Sequence, residues 1–444
     1  MGVPGLWREL DTYATDTTLA DVAWDHWERT AQPFRLGIDA TSWLYHARKS
    51  RGGAEPELRL LFFRLVRLLA LPVTPVFVLD GNARPAIKRG VPVQGGAHPL
   101  EAPFQGLVRA FGFAHWRAPG EAEAELAWLS AHAYLDGVLT HDVDALAFGA
   151  HVVLRPRMGE QDAVAVLKAR ACPYDADALV LVALLAGGDY DAQGGHGATL
   201  TSAFRAHFAA STPPAVLDQH DASWDAALDQ WRERVAHELA TNANKHLRRR
   251  QPALAARLQA TAFLGDARAR ARIYAYVWPR KSERMPQRAQ LERLVMQRGR
   301  MALDVMAREA QALFAWAPAT VLARFERLVW PGAYIRHTMA AQAAHPDPRD
   351  MVVTLEPPPV VLQRRQRRGS GEEVRIRYRV QPFVQNVCEA LGLPVRSAPT
   401  ACMWVRSAFL ALPQEASEDE VQLVAVRLRE VVVLDDTSTE SIVQ

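Results

Sequence analysis

Three short apolar runs in the first third of the chain each lead into an aspartate. Phe34-Arg-Leu-Gly-Ile-Asp39 and Pro75-Val-Phe-Val-Leu-Asp80 end on one, and Gly137-Val-Leu139 delivers Asp142 and Asp144 just past its end. Near-continuous apolar segments of this length predict parallel strands buried on both faces. Helical spacing lies between them. A helix starts near Thr41, residues 58–71 form a strongly apolar one broken by Arg59, Arg64 and Arg67, and residues 100–111 form another. Ala118-Pro-Gly-Glu121 is a turn followed by good helix formers, with Glu121 and Glu123 in the first turn, where the helix dipole favours negative charge. Strands alternating with helices predict an α/β fold, a parallel sheet covered on both faces.

Further along, residues 177–185 read as an apolar helix running into Gly187-Gly-Asp189-Tyr190. Gly194, Gly195, His196 and Gly197 follow, then a helical stretch at 198–208. A glycine-rich turn between helices lets backbone groups approach a phosphate or a monovalent cation. Residues 223–258 read as one or two helices ending in a cationic cluster of Lys245, Arg248, Arg249 and Arg250. Residues 266–300 are densely basic with Tyr274, Tyr276 and Trp278 interleaved, which reads equally as a nucleic-acid surface or as a solvated face with core aromatics. Two amphipathic helices are expected at 302–316 and 320–330. A Pro/Asp-rich linker at 344–349 precedes strands at 351–355 and 374–380, a basic hairpin tip with Arg364, Arg365, Arg367 and Arg368 between them, and a further run at 421–434. That makes a small β-rich module, with residues 435–444 a disordered tail.

Composition narrows the class. The chain has 444 residues, enough for more than one unit, and a net charge of only +3, so the uneven placing of the basic residues matters more than their number. Its three cysteines lie far apart, which argues against a zinc site or a disulfide framework. No apolar run reaches membrane-spanning length and the N-terminus lacks a secretory pattern, so a soluble intracellular protein without a membrane partner is expected.

The acids carry the chemistry. Strand-end aspartates and helix-start glutamates aimed at one crevice repel one another unless cations are present, and an all-oxygen set suits Mg²⁺ or Mn²⁺. Either pair alone would be ordinary capping or turn chemistry; together they favour a metal site. The basic segment 82–96, with Arg84, Lys88 and Arg89, reads by composition as a solvated loop, and its position above the acids makes it a phosphate contact.

In this order and at these intervals, Met1-Gly-Val-Pro-Gly-Leu-Trp7, Leu36-Gly-Ile-Asp39, Phe77-Val-Leu-Asp80-Gly81, Ala118 to Glu125, Thr140-His-Asp142-Val-Asp144 and Gly187-Gly-Asp189 resemble the XPG/flap-endonuclease superfamily, most nearly its fungal Holliday-junction-resolvase branch. The resemblance implies a resolvase-like (PIN-like) nuclease core over 1–212 that includes the start of a helix–two-turn–helix element. A helical extension follows over 213–343 and a chromodomain-like module over 350–434. It implies two Mg²⁺ ions, replaceable by Mn²⁺, on Asp39, Asp80, Glu121, Glu123, Asp142, Asp144 and Asp189. Lys88 and Arg89 fall where the superfamily contacts the scissile phosphate, and Gly2 where its N-terminal glycine lies near the active site. Gly194, Gly195 and Gly197 fall in the turn that grips duplex backbone and binds K⁺. DNA contacts are expected from Arg84, Lys245, Arg248, Arg249, Arg364, Arg365, Arg367 and Arg368. The implied substrate is branched double-stranded DNA, the implied assembly a homodimer on a four-way junction, and the implied location the nucleus. Two departures stand out. His141 occupies a position where an acid is common, and the interval from Asp80 to Glu121 is too short for a long helical arch. A 5′-flap endonuclease, an inactive junction-binding scaffold and a phosphohydrolase of small molecules are the alternatives.

Overall fold

The computed structural model describes residues 2–190 except 4, 86, 89, 90, 94, 95, 158, 160 and 161, and residues 224–260 except 246 and 248. It further describes 275–276, 279, 281–282, 288–341 except 297 and 298, 359–367, 371–395 and 400–410. The chain opens with α1 (Leu6–Leu10), the edge strand β1 (Thr15–Thr18) and α2 (Leu19–Thr30). Then come β2 (Phe34–Asp39), α3 (Ala40–Ala47), α4 (Pro56–Leu69), β3 (Val73–Leu79) and a small hairpin of β4 (Ile87–Lys88) and β5 (Val91–Pro92). The sequence continues through α5 (Glu101–Ala110), β6 (Ala114–Arg117), α6 (Ala122–Ala131), β7 (Gly137–Leu139), α7 (Asp144–Ala147), β8 (Val152–Pro156), β9 (Ala163–Lys168) and α8 (Ala176–Ala186).

Seven strands form one sheet in the order β1-β9-β8-β7-β2-β3-β6. From β8 to β6 the pairing is parallel, and β9 and β1 add an antiparallel edge. The three apolar runs are the central strands β2, β3 and β7, as expected for segments buried on both faces. In β3 every residue is buried, with Val73, Phe77 and Leu79 turned to one face and Val76 and Val78 to the other. This is the period-two alternation of a strand between two apolar layers. The sequence reading did not anticipate β1, β6, β8 or β9; edge strands carry more polar positions, as the exposed or half-buried Thr15–Thr18 illustrates.

Helices cover both faces. One layer holds α2 to α5, and α6 and α8 lie in the other; α6 is buried nearly all round. The long helical reading at 223–258 resolves into α9 (Trp224–Thr241) and α10 (Pro252–Ala260), and α11 (Arg288–Met296) follows. The two expected amphipathic helices are α12 (Leu303–Phe314) and α13 (Pro318–Leu328), and a third, α14 (Trp330–Ala341), buries Trp330 completely.

The C-terminal unit is an antiparallel sheet of β10 (Val360–Arg367), β11 (Gly371–Arg379) and β12 (Thr400–Arg406), with α15 (Gln381–Leu391) between the last two. The expected strand at 374–380 falls in β11, whereas the readings at 344–349, 351–355, 421–434 and 435–444 lie outside the described residues. Arg364, Arg365 and Arg367 belong to β10 rather than to a hairpin tip, because cross-strand pairs hold them in the ladder: Arg364 meets Glu372 at 3.1 Å and Arg365 meets Glu373 at 2.6 Å. This unit shares the core of the sheet's first face. Phe383 packs 5.9 Å from Trp330 and Tyr378 4.4 Å from Tyr334, measured between ring centroids. Phe409 sits between Trp24 and Trp27 of α2. Beside them the buried Arg406 reaches Asp21 and Glu28 at 3.1 Å each and Asp25 at 3.4 Å.

Candidate active site

Local structure aims each acid. Asp39 is both the last residue of β2 and the cap of α3, accepting a hydrogen bond from the Ser42 amide at 2.9 Å. Asp80 follows β3; its Oδ1 accepts from the Ala122 amide at 2.9 Å, and its own amide donates to Thr41 Oγ1 at 3.0 Å. Gly81 makes this junction possible. Its amide donates to Gly120 O at 2.6 Å, and a Cβ on it would run into the Ala118 and Pro119 carbonyl oxygens. The end of β3 is thereby pinned to the start of α6, where Glu121 is the N-terminal flanking residue and Glu123 sits in the first turn. Beyond β7, Thr140 Oγ1 takes the Asp142 amide and Asp142 Oδ1 takes the Asp144 amide, at 3.0 and 3.1 Å. Asp189 lies just past α8, after Gly187 turns the chain at φ 88°. Five segments thus converge at the carboxyl edge of the parallel sheet, the usual location of chemistry in such folds.

All seven acids are buried except Asp80, which is half-buried. Burial, with Asp80 beside it, pushes the Asp39 carboxyl up to about 7. Burial also raises Glu121 and Asp142, and lifts Glu123 and Asp144 well above the carboxylate range, with neighbouring acids adding to the effect. Lys88, at the end of β4, answers part of this charge. Burial alone would lower its ammonium, but Glu123, Glu121 and Asp189 hold it raised. It pairs with Glu121 and stands 3.6 Å from Asp189. Asp144 Oδ1 is buried without a hydrogen-bond partner among the described residues. An excess of buried carboxylate with an unsatisfied oxygen fits divalent cations, which relieve both costs together. Among the described residues no three donors close on one point by themselves. Mg²⁺ needs no closed cage of protein donors, since it keeps several waters and takes one or two carboxylates alongside substrate phosphates.

Other expected residues fall into three groups. Gly2 belongs to the crevice: at φ 75° it packs so closely that a Cβ would meet Asp142, Asp144 and Val143. Arg84 also joins it, through an ion pair with Asp80 at 3.1 Å. Lys245 and Arg249 are exposed beyond α9, and Arg364 and Arg365 are exposed on β10, where they pair with Glu372 and Glu373. Arg89, Gly194, Gly195, Gly197, Arg248 and Arg368, and the side chain of Arg367, lie outside the described residues.

Two tyrosines belong to the site that composition did not single out. The Tyr190 hydroxyl donates to Glu121 Oε2, and Lys88 Nζ lies 5.9 Å from the centre of its ring. Tyr276, which the sequence allowed equally on a nucleic-acid surface or in the core, is buried against Tyr190, with ring centroids 4.6 Å apart. Adjacency of Tyr190 to Asp189 was the only available signal. His141 is half-buried and faces His46, with the two ring centroids 4.8 Å apart. Burial, with His46 next to it, pushes its imidazole down to about 4.

Fold and crevice together define an α/β domain with a carboxylate cradle at the edge of its parallel sheet. Residues 1–93 match the XPG N-terminal domain and residues 112–189 the XPG I-region. It is 30% identical over 225 residues to the flap endonuclease GEN homolog 1 of Mus musculus, a match covering 43% of this chain and 23% of that protein. It is 28% identical over 210 residues to the flap endonuclease GEN-like 1 of Arabidopsis thaliana, covering 38% of this chain and 34% of the relative. The chain therefore spans about a quarter to a third of the length of these curated relatives. Among solved structures it resembles the Holliday junction-resolving enzyme GEN1 bound to product DNA and Mg²⁺. That likeness has a TM-score of 0.71 and 26% identity over 97% of this chain and all of the other. The catalytic core of Rad2 shares the fold at a TM-score of 0.53. Among the described residues no helix is long and apolar enough to cross a membrane.

Proposed function

We propose that this protein is a divalent-metal-dependent, structure-specific endonuclease that cuts branched double-stranded DNA, four-way junctions foremost. The observation that carries the reading is the convergence of seven carboxylates and Lys88 on one crevice. The likeness to a junction-resolving enzyme over nearly the whole described fold supports it. Asp39, Asp80, Glu121, Glu123, Asp142, Asp144 and Asp189 would hold two Mg²⁺ ions, with Mn²⁺ a substitute; a relative has been solved with both metals. Such ions, when bound, acidify water and neutralise charge on a phosphodiester. The chain's own groups do the rest. Lys88 stands on a hairpin above the acids, where its ammonium can exchange Glu121 and Asp189 for a phosphate oxygen. Tyr190 orients Glu121 through its hydroxyl, and Arg84 offsets the charge of Asp80. Gly2 lets the N-terminal segment lie directly on Asp142 and Asp144.

Among the described residues between Asp80 and α5, the small β4–β5 hairpin is the regular structure, with Ile87 and Val91 exposed on it. A hairpin of that size does not enclose a strand end, so a junction can enter from the side. Dimerisation on a four-way junction, K⁺ at the Gly194–Gly197 turn and a nuclear location follow from the same reading. A 5′ flap is the second reading, favoured by the names of the curated relatives. The deciding experiment offers an immobile four-way junction and a 5′ flap, both end-labelled, with Mg²⁺. Paired, symmetric nicks on the junction are expected. Cutting of the flap alone would remove the resolvase assignment, and no cutting of either with Mg²⁺ or Mn²⁺ would remove the nuclease.

A further inference from the structure

His141 has no part in the chemistry proposed above, although it stands next to Asp142. Its ring lies 4.8 Å from that of His46, and both line a cavity of about 390 Å³ between α2, α3, α4 and the β7–β9 side of the sheet. The cavity is lined largely by apolar side chains of these elements, and its polar groups are mainly cationic or neutral: Arg64, Arg67, His46 and His141. Asp162 is the one acid among its described lining residues, and it faces Arg67 at 4.0 Å. Arg64 is different. Its guanidinium lies 5.3 Å from the centre of the Trp43 ring and has no carboxylate in ion-pair reach among the described residues. A half-buried arginine that rests on Trp43 and meets no anion among the described residues is an incomplete arrangement, since burying a charge is costly unless it is paired.

Size and chemistry select the missing partner. The volume falls in the range of small-molecule sites, which are mostly apolar with a few placed polar groups. An arginine fork matches phosphate oxygens in pairs, and the flat rings of Trp43, His46 and His141 match a heteroaromatic base. An acid at position 141 would cancel much of this positive potential; the histidine keeps it. We propose that the cavity is a second ligand site that takes a nucleoside phosphate, with the phosphate on Arg64 and the base against Trp43 and the two imidazoles. It is distinct from the acid crevice, because its polar groups attract anions where the crevice attracts cations. Two sources carry this chemistry: a free mononucleotide and the phosphorylated end of a DNA strand.

The test is calorimetric titration of the full chain in EDTA, which removes divalent ions and with them any nucleotide held through metal in the crevice. The probes are dAMP, deoxyadenosine, inorganic phosphate and a short single strand with a terminal phosphate. One equivalent of dAMP is expected to bind, at least about tenfold more tightly than either deoxyadenosine or inorganic phosphate, the size of one charged hydrogen-bonded contact. Arg64→Gln should weaken it by at least about tenfold and Arg64→Lys by less, because lysine keeps the charge without the fork. Both variants should keep the wild-type circular dichroism. Binding of the strand alone, with the same dependence on Arg64, would support the site and assign it to a strand end. The proposal is overturned if neither nucleotide nor strand binds, if Arg64→Gln binds as well as wild type, or if inorganic phosphate binds as tightly as dAMP.

Discussion

At the scale of single residues, the site is a balance between carboxylates that repel and groups that hold them in place. Asp142 occupies its centre, since its side chain also takes the Asp144 amide. Asp142→Asn should reduce cleavage by more than about a hundredfold, beyond the 10- to 100-fold typical for a residue that only supports a ligand. Binding of the same junction, measured by gel shift in Ca²⁺, should persist; retained cleavage would remove Asp142 from the reaction. The raised carboxyls also predict a pH dependence. Asp39 moves from an ordinary value of about 3.9 to about 7 in the fold. Between those values the folded chain binds more protons than the unfolded one, so without metal the stability must fall as pH rises through this window. Thermal midpoints in EDTA should therefore decline from pH 5 to pH 8, and Mg²⁺ should offset the decline. Asp39→Asn should flatten the slope, and an equal slope in that variant would contradict the assignment.

At the scale of elements, two junctions matter most. Gly81 lets the end of β3 lie directly on the turn before α6. Gly81→Ala would place a Cβ against two backbone carbonyls that cannot move without parting Asp80 from Glu121. A cost of about 1–3 kcal/mol is expected, the usual range for overpacking, together with lost cleavage. A variant with wild-type melting and wild-type cleavage would show that the junction tolerates opening. The second junction is Arg406 against Asp21, Asp25 and Glu28 of α2. Arg406 is buried while its partners are part exposed, so the loss is discounted for solvent screening. Arg406→Met should cost about 1–3 kcal/mol by urea denaturation. An unchanged midpoint would mean that the apolar contact of Phe409 with Trp24 and Trp27 holds this contact alone.

At the scale of the whole molecule, the C-terminal β unit is part of the core on one face of the sheet. Its strands and α15 cover Trp330 and Tyr334, and Phe409 covers Trp24 and Trp27. A chain ending at residue 350 should expose these aromatics and aggregate or melt earlier, as size-exclusion chromatography and a thermal scan would reveal; a monodisperse product with the full-length midpoint would make the unit separable. Much of this architecture was legible beforehand, for reasons that differ from element to element. Strands β2, β3 and β7 were readable because a segment buried on both faces is apolar throughout, and Asp39, Asp80, Asp142 and Asp144 because each acid interrupts or closely follows such a segment. Glu121 and Glu123 were readable from a turn and a helix start. These are local signals, carried within about ten residues. The edge strands β1 and β6 gave no such signal, since a half-exposed strand keeps polar positions. Tyr276 reached the site and Arg406 found three acids on α2 only through contacts between distant segments, whereas Arg364 and Arg365 entered a ladder across a local hairpin. The sequence by itself therefore determined the alternation of strands and helices and the acids that each strand end presents. Only the tertiary structure decided which distant side chains meet those acids, where Lys88 rests, and that His141 lies beside His46, because pairing between segments far apart in the sequence depends on how the layers pack and leaves no periodicity along the chain.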